Sequence, residues 1–249
     1  MKLQSFLSTK LTSYYERIQY FAELSIRDSV NPENLHQFRV FCRRAEAIVR
    51  EFKECFDSFY RHRVLQRLKS FLHLSTRARD LDVLLEHLYS SCSSRELINL
   101  IERQRAKAYQ EIKGELAAVG AYLYGIKEPK IECSKKLKKT LRKHFKKRLR
   151  ALKIQGDLHK LRIRLKRVRY VAELMVEVGL IGKKRLKKLK KLQDILGQIH
   201  DASVQIAYLK SLTTTPLPPD ILEAIAKVVA EYRKTQKRLT KSLQSQGLF

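Results

Sequence analysis

Apolar residues recur at intervals of three and four along nearly the whole chain, which predicts helices throughout and no strand. The clearest pattern runs from His159 to Met175, HKLRIRLKRVRYVAELM. Leu158, Leu161, Leu165, Val168, Ala172 and Met175 form a seam there, and His159, Arg162, Lys166 and Arg169 repeat the same spacing one residue out of step. On a helix the two rows lie about 100° apart, so a dry face adjoins a cationic one. His36 to Phe52, HQFRVFCRRAEAIVREF, repeats the arrangement. His36, Arg39, Arg43 and Arg50 stand beside Leu35, Phe38, Cys42, Ala45, Val49 and Phe52.

The other segments follow the same periodicity. A first helix is expected from about Leu3 to Arg27, with Leu7, Leu11, Tyr14, Tyr15, Ile18, Phe21 and Ala22 inward. Asn31 and Pro32 supply a cap and a first-turn proline for the second helix. A third region, about Ser58 to Ser90, should bend where charge crowds residues 76 to 83. Ser93 and Glu96 read as a capping box for a fourth helix that reaches Val119 and stops at Gly120. Ala121 to Cys133, with Gly125 and Pro129, reads as a linker.

A cationic helix from about Ser134 to Leu152 opens the second half. Gly156 and Asp157 mark a break and cap before the His159 helix, and Gly179 ends it. A long helical region follows, with a kink expected at Gly197. Residues 213 to 219, TTTPLPP, form a loop, and Asp220 leads a last helix ending near Gln244.

This order reads as a duplication: a four-helix repeat over residues 1–120, a linker over 121–133, and a second repeat over 134–249. Arg79-Asp80-Leu81-Asp82-Val83 and His200-Asp201-Ala202-Ser203-Val204 lie at nearly the same distance beyond their respective histidines. The fold class expected is all-α, two pseudo-symmetric four-helix bundles packed around a basic central cleft.

Charge changes the picture from fold to partner. The 249 residues carry 53 Lys and Arg against 25 Asp and Glu, a formal +28, which calls for a polyanion. Residues 134 to 192 hold 24 of the cations and only three acids, Asp157, Glu173 and Glu177. The four cysteines, Cys42, Cys55, Cys92 and Cys133, show no CxxC spacing, so buried thiols in a reducing compartment are expected and a zinc site is not. The N-terminus lacks an uninterrupted apolar segment, and a cytoplasmic protein is expected.

Successive wall cations fall about 5 Å apart along a helix, a spacing that lets a linear polyanion run along two such walls and shed counterions. Arginine can hold two phosphate oxygens where lysine supplies a mobile point charge. His36 and His159 stand at helix starts, where free N–H groups favour an anion. A single helical histidine is more often a packing or capping group, and the lysine-rich runs are more often solvated faces. The paired placement in both repeats favours a binding role. Arg79, Lys139, Arg142, Lys146, Lys187 and Lys190 are read as secondary basic contacts.

HQFRVFCRR and HKLRIRLKRVRY, followed by RDLDV and LQDILGQIHD respectively, resemble the conserved histidine α-helical domain, the CHAD family. The resemblance covers essentially the whole chain. It implies two four-helix bundles binding inorganic polyphosphate in a basic channel, free of catalysis and of any cofactor, with an association with polyphosphate granules. It points to His36, Arg39, Arg43 and Arg44 in the first repeat and to His159, Arg162, Lys166, Arg167 and Arg169 in the second, with Arg50 as a further wall residue. The chain departs from the pattern at Glu46, opposite in type to Arg169, and again where Arg50 answers Glu173. Pairing of Glu46 with Arg169, or Arg50 with Glu173, would narrow the channel. No CYTH-type triphosphate tunnel domain accompanies these motifs.

Two other classes compete. A nucleic-acid-binding protein would share the phosphate chemistry, but the basic faces lack interleaved aromatics for stacking bases. His200-Asp201 is also the dipeptide of metal-dependent HD phosphohydrolases, yet no further histidine has convincing spacing for a metal cluster, and Asp220 sits at a proline-rich loop end. Membrane association is weaker still, because no helix joins its cations to an exposed aromatic-rich apolar face.

Overall fold

The computed structural model describes residues 3–124, 131–133, 137–152 and 157–245, and every regular element among them is helical. Gly125 and Pro129 of the expected linker, residues 134–136 at the start of the cationic helix, and Gly156 lie outside the described residues.

Helix α1 (Leu3–Arg27) buries Leu7, Leu11, Tyr14, Ile18 and Ala22, while Tyr15 and Phe21 are half-buried. The second helix, α2 (Pro32–Glu51), starts at Asn31, whose side chain accepts the Glu33 N–H at 3.1 Å. The whole expected seam of α2, from Leu35 to Phe52, is buried. Phe41 joins the two helices, stacking on Phe21 and meeting Tyr14, each with ring centroids 5.8 Å apart. Burial of this kind, not intrinsic propensity, holds such helices; truncating an enclosed side chain like Phe38 to alanine costs about 3–5 kcal/mol.

Beyond a short 3-10 turn (Lys53–Cys55), Asp57 caps α3 (Ser58–Leu74) by accepting the Tyr60 N–H at 2.9 Å. The bend expected in this region is a break at Ser75, before α4 (Thr76–Ser91). Ser75 turns its hydroxyl back to the Phe71 carbonyl, at 2.6 Å. Helix α5 (Arg95–Ala117) is capped by Ser94, one residue later than expected, because Ser94 Oγ accepts the Leu97 N–H at 3.2 Å. Gly120 is not a stop. It lies inside α6 (Val119–Tyr124), where a Cβ would come within 3.2 Å of the Gln19 amide nitrogen, so glycine permits the close approach to α1.

The second half contains α7 (Leu137–Arg150), α8 (Leu158–Glu177), α9 (Lys183–Leu212) and α10 (Pro219–Ser245). Helix α9 passes through Gly197 without interruption. Gly179, at φ +70°, ends α8 in a Schellman motif: Leu180 N–H reaches the Met175 carbonyl at 2.7 Å and Gly179 N–H the Val176 carbonyl at 3.0 Å.

The chain forms two compact units. Unit 1 comprises Met1–Arg79, Lys107–Phe145 and Tyr170–Leu180, and unit 2 comprises Asp80–Ala106, Lys146–Arg169 and Ile181–Phe249. Each takes segments from both halves of the sequence, because α4, α5, α7 and α8 contribute residues to both.

The cysteines differ from expectation. Cys42 is a buried thiol, but Cys55 and Cys133 form a disulfide and Cys92 is partly exposed. The pairing follows from how residues 131–133 lie against unit 1. Ile131 is buried and the Glu132 N–H donates to the Cys55 carbonyl at 3.1 Å, which brings the next side chain to Cys55.

Candidate anion-binding site

Asp157 caps α8 by accepting the N–H groups of His159 at 2.8 Å and Lys160 at 3.3 Å. Those backbone hydrogen bonds hold its exposed carboxyl below the usual range. Within unit 2 the seam residues Leu161, Leu165 and Val168 are buried, and that burial fixes the rotation of the helix. His159 and Arg167 are consequently exposed and Lys166 half-buried. Arg162 retains only 14% side-chain exposure and lies 3.7 Å from Asp201 on α9.

His159 faces His200 on α9, with ring centroids 5.3 Å apart. The two rings and Arg162 line a pocket of about 570 Å³ whose floor is Leu158, Leu196 and Ile199. Its third wall is α10, which contributes Arg233, Gln236, Lys237, Thr240 and Lys241; Ser203 of α9 completes the lining. No lining residue is acidic. The His200 imidazole is lowered to about 4, first by burial, then by Arg162, His159 and Lys166. It is therefore neutral at neutral pH, beside the charges of Arg162 and Lys166.

The α10 residues escaped the sequence reading. Arg233, Lys237 and Lys241 recur every four positions, a detectable stripe, but this helix has no histidine motif and carries cations on other faces too.

Unit 1 holds the other histidine. His36 is half-buried, and burial followed by the charges of Arg79, Arg39 and Arg43 lowers its pKa, while Glu33 opposes them. Arg79, expected as a secondary contact, thus belongs to the immediate surroundings of His36. Arg39 is buried at 9% exposure, and its guanidinium donates to the Leu72 carbonyl at 2.6 Å and to Ser75 Oγ at 2.5 Å, clasping the end of α3. Arg43 remains half-exposed.

The remaining wall residues engage protein groups as well. Arg44 lies 3.9 Å from Glu173 and rests over the Phe41 ring. Arg50 pairs with Glu46, one turn back on the same helix. Each of the two acids that interrupt the walls thus has an arginine partner within unit 1. Arg169 donates from Nε to the Gln193 amide oxygen at 2.6 Å. Lys139, Arg142, Lys146, Lys187 and Lys190 are exposed on α7 and α9. Lys190 precedes His200 by ten residues, about 15 Å along the helix axis, so it contributes field and not pocket lining.

The DLDV residues that follow Arg79 serve the fold of unit 2. Asp82, at 2% exposure, accepts the Arg105 Nε–H at 2.7 Å, and the Asp80 carbonyl accepts the Gln205 amide at 2.7 Å.

The regular elements among the described residues are all helices, and the pocket that three of them line is cationic and free of acidic side chains. The sequence places the chain further: the profile of the CHAD domain matches residues 9–210, and the chain belongs to the CHAD family. Among solved structures it is similar to the CHAD domain from the plant Ricinus communis, with 22% identity over 99% of this chain and 93% of that one and a TM-score of 0.68. It is also similar to PptA from Streptomyces chartreusis, with 17% identity, 97% of each chain covered and a TM-score of 0.66. The all-α fold is that of these structures. A search of curated proteins returned no match.

Proposed function

We propose that this chain binds inorganic polyphosphate without catalysing its turnover, using the cations of α8, α9 and α10 in unit 2 and those around His36 in unit 1. The observation that carries this is the pocket lining: two histidines, two arginines and two lysines drawn from three helices, with no carboxylate among them. A ligand with a phosphate charge on every repeating unit matches such surroundings, and the exposed lysines of α7 and α9 steer it by their field. Membership of the CHAD family supports the same ligand. Nucleic acid fits less well, because the pocket offers no Phe, Tyr or Trp on which a base could stack.

The His200-Asp201 dipeptide is engaged within unit 2, where Asp201 lies 3.7 Å from Arg162 and His200 faces His159. No helix among the described residues is long and apolar enough to cross a membrane.

Titration calorimetry with long-chain polyphosphate, repeated with single-stranded and structured RNA as competitors, tests the reading. Saturable binding that survives an equal phosphate concentration of RNA at moderate salt is expected. Displacement by RNA at near-stoichiometric phosphate would overturn it in favour of a nucleic-acid-binding protein. Release of phosphate with added divalent metal would overturn the non-catalytic role.

A further inference from the structure

The α10 wall lies entirely beyond residues 9–210, the part of the chain that the CHAD profile matches. Arg233, Lys237 and Lys241 stand along one stripe spanning nine residues, about 12 Å of helix from first to last. All three are exposed, and none is paired with a carboxylate among the described residues. The stripe is held in place from below. The Gln236 amide donates to Ser203 Oγ at 2.6 Å and to the Ile199 carbonyl at 3.3 Å, and the Thr240 hydroxyl donates to the Gln236 carbonyl at 2.8 Å.

Opposite stand His159 and Arg162 of α8 and His200 of α9, so cations of α8 and α10 and the neutral imidazole of α9 converge on one volume of about 570 Å³. That is the size of a small-molecule site. A long polyanion that follows an open face needs no enclosed space, and an isolated phosphate would leave most of the stripe unused. A few linked phosphates carry the charge density and the length that the wall can meet at once.

We infer that the α8–α9–α10 pocket is a self-contained site for a short oligophosphate, a chain of a few linked phosphates, with Arg233, Lys237 and Lys241 as its specificity-determining wall. The inference rests on the reading that the pocket takes phosphate anions. The same chemistry has two sources: a free inorganic chain and the phosphate tail of a nucleoside triphosphate. The stripe sets the preference for length, because a shorter anion leaves one of its cations unmatched while a longer one must leave the pocket. Gln236 is a positioning residue that keeps the stripe in register.

The test is calorimetry on the full chain with tripolyphosphate, ATP, orthophosphate and long-chain polyphosphate, using the wild type and the triple variant R233Q/K237Q/K241Q. These side chains are exposed, and circular dichroism and the melting midpoint check that the variant folds. Tripolyphosphate is expected to bind one to one, at least tenfold more tightly than orthophosphate. The triple variant should weaken it at least tenfold and weaken long-chain polyphosphate by a smaller factor, because that ligand also has the cations around His36, which the variant keeps. ATP competing at similar strength supports recognition of the shared triphosphate tail, and ATP failing to compete supports a site for inorganic chains.

Three results overturn the inference: no one-to-one binding of tripolyphosphate, equal affinity for orthophosphate, or equal loss for short and long chains in the variant. If tripolyphosphate binds as expected but long-chain polyphosphate does not, the broader function fails and the pocket assignment stands. If only the long chain binds, the pocket assignment fails and the broader function stands.

Discussion

His159 and His200 face one another across two helices with ring centroids 5.3 Å apart. Neither ring is backed by a carboxylate among the pocket lining, so protonating both without an anion would crowd two new charges beside Arg162, Arg233, Lys237 and Lys241. Lys166 adds to this field from α8, while Asp201, next in sequence to His200, offsets it through its contact with Arg162.

Proton uptake on binding follows. His200 titrates near 4 in the ligand-free protein, and a bound phosphate raises that value by favouring the imidazolium. Affinity for polyphosphate should therefore rise as pH falls from 7 to 5.5. Calorimetry in buffers of different ionisation heats should register protons taken up, and His200→Gln should reduce that number. An affinity independent of pH in both proteins would refute the coupling.

Stability should move the other way. The folded pKa of His200 lies below its unfolded value of 6.5, so the unfolded chain binds the proton first as pH falls. Its contribution to stability is present above 6.5 and is lost progressively as pH falls towards about 4. His200→Gln should flatten this part of the pH profile in urea denaturation of the ligand-free protein.

Arg39 and Arg43 should separate structure from binding. Removing the Arg39 side chain abandons hydrogen bonds to the Leu72 carbonyl and Ser75 hydroxyl, each worth about 1.5–3 kcal/mol when the donor is charged. Arg39→Ala should lower the urea midpoint clearly. Arg43→Ala, at a half-exposed position, should leave the midpoint nearly unchanged and weaken polyphosphate binding instead.

Asp82 and Arg105 form a buried pair in unit 2, with no exposure left for the Asp82 side chain. Replacing either residue breaks this buried pair, at a cost of about 3–5 kcal/mol. Arg105→Ala should lower stability by that order in chemical denaturation, and polyphosphate affinity measured well below the new midpoint should change little.

The Cys55–Cys133 disulfide closes a separation of 78 residues. On the chain-entropy account a loop of that length contributes about 4.5 kcal/mol. Thiol titration of the denatured, unreduced protein should count two free groups, Cys42 and Cys92, rising to four after reduction, with a lower melting midpoint.

Much of this was legible in sequence because helical spacing reports burial directly. The α2 seam, the Asp157 cap and the Gly179 stop each depend on neighbours within a turn or two, and each is found where that logic places it. Adjacent serines cannot be ranked by type, so the α5 cap fell on Ser94, not Ser93. Arg39 and Arg43 look alike on a helical projection, yet the side of Arg39 is covered by the end of α3, a fact of tertiary packing. The disulfide and the α10 wall were out of reach for the same reason. Each joins segments far apart in the chain without a local motif to mark them.

The position of α10 has an evolutionary consequence. The residues by which the chain is recognised as a CHAD protein end at 210, whereas a whole wall of the pocket begins at 233. Substitutions in that last helix can retune what the pocket prefers while leaving ancestry written in the earlier ones, so kinship and ligand choice are free to drift apart.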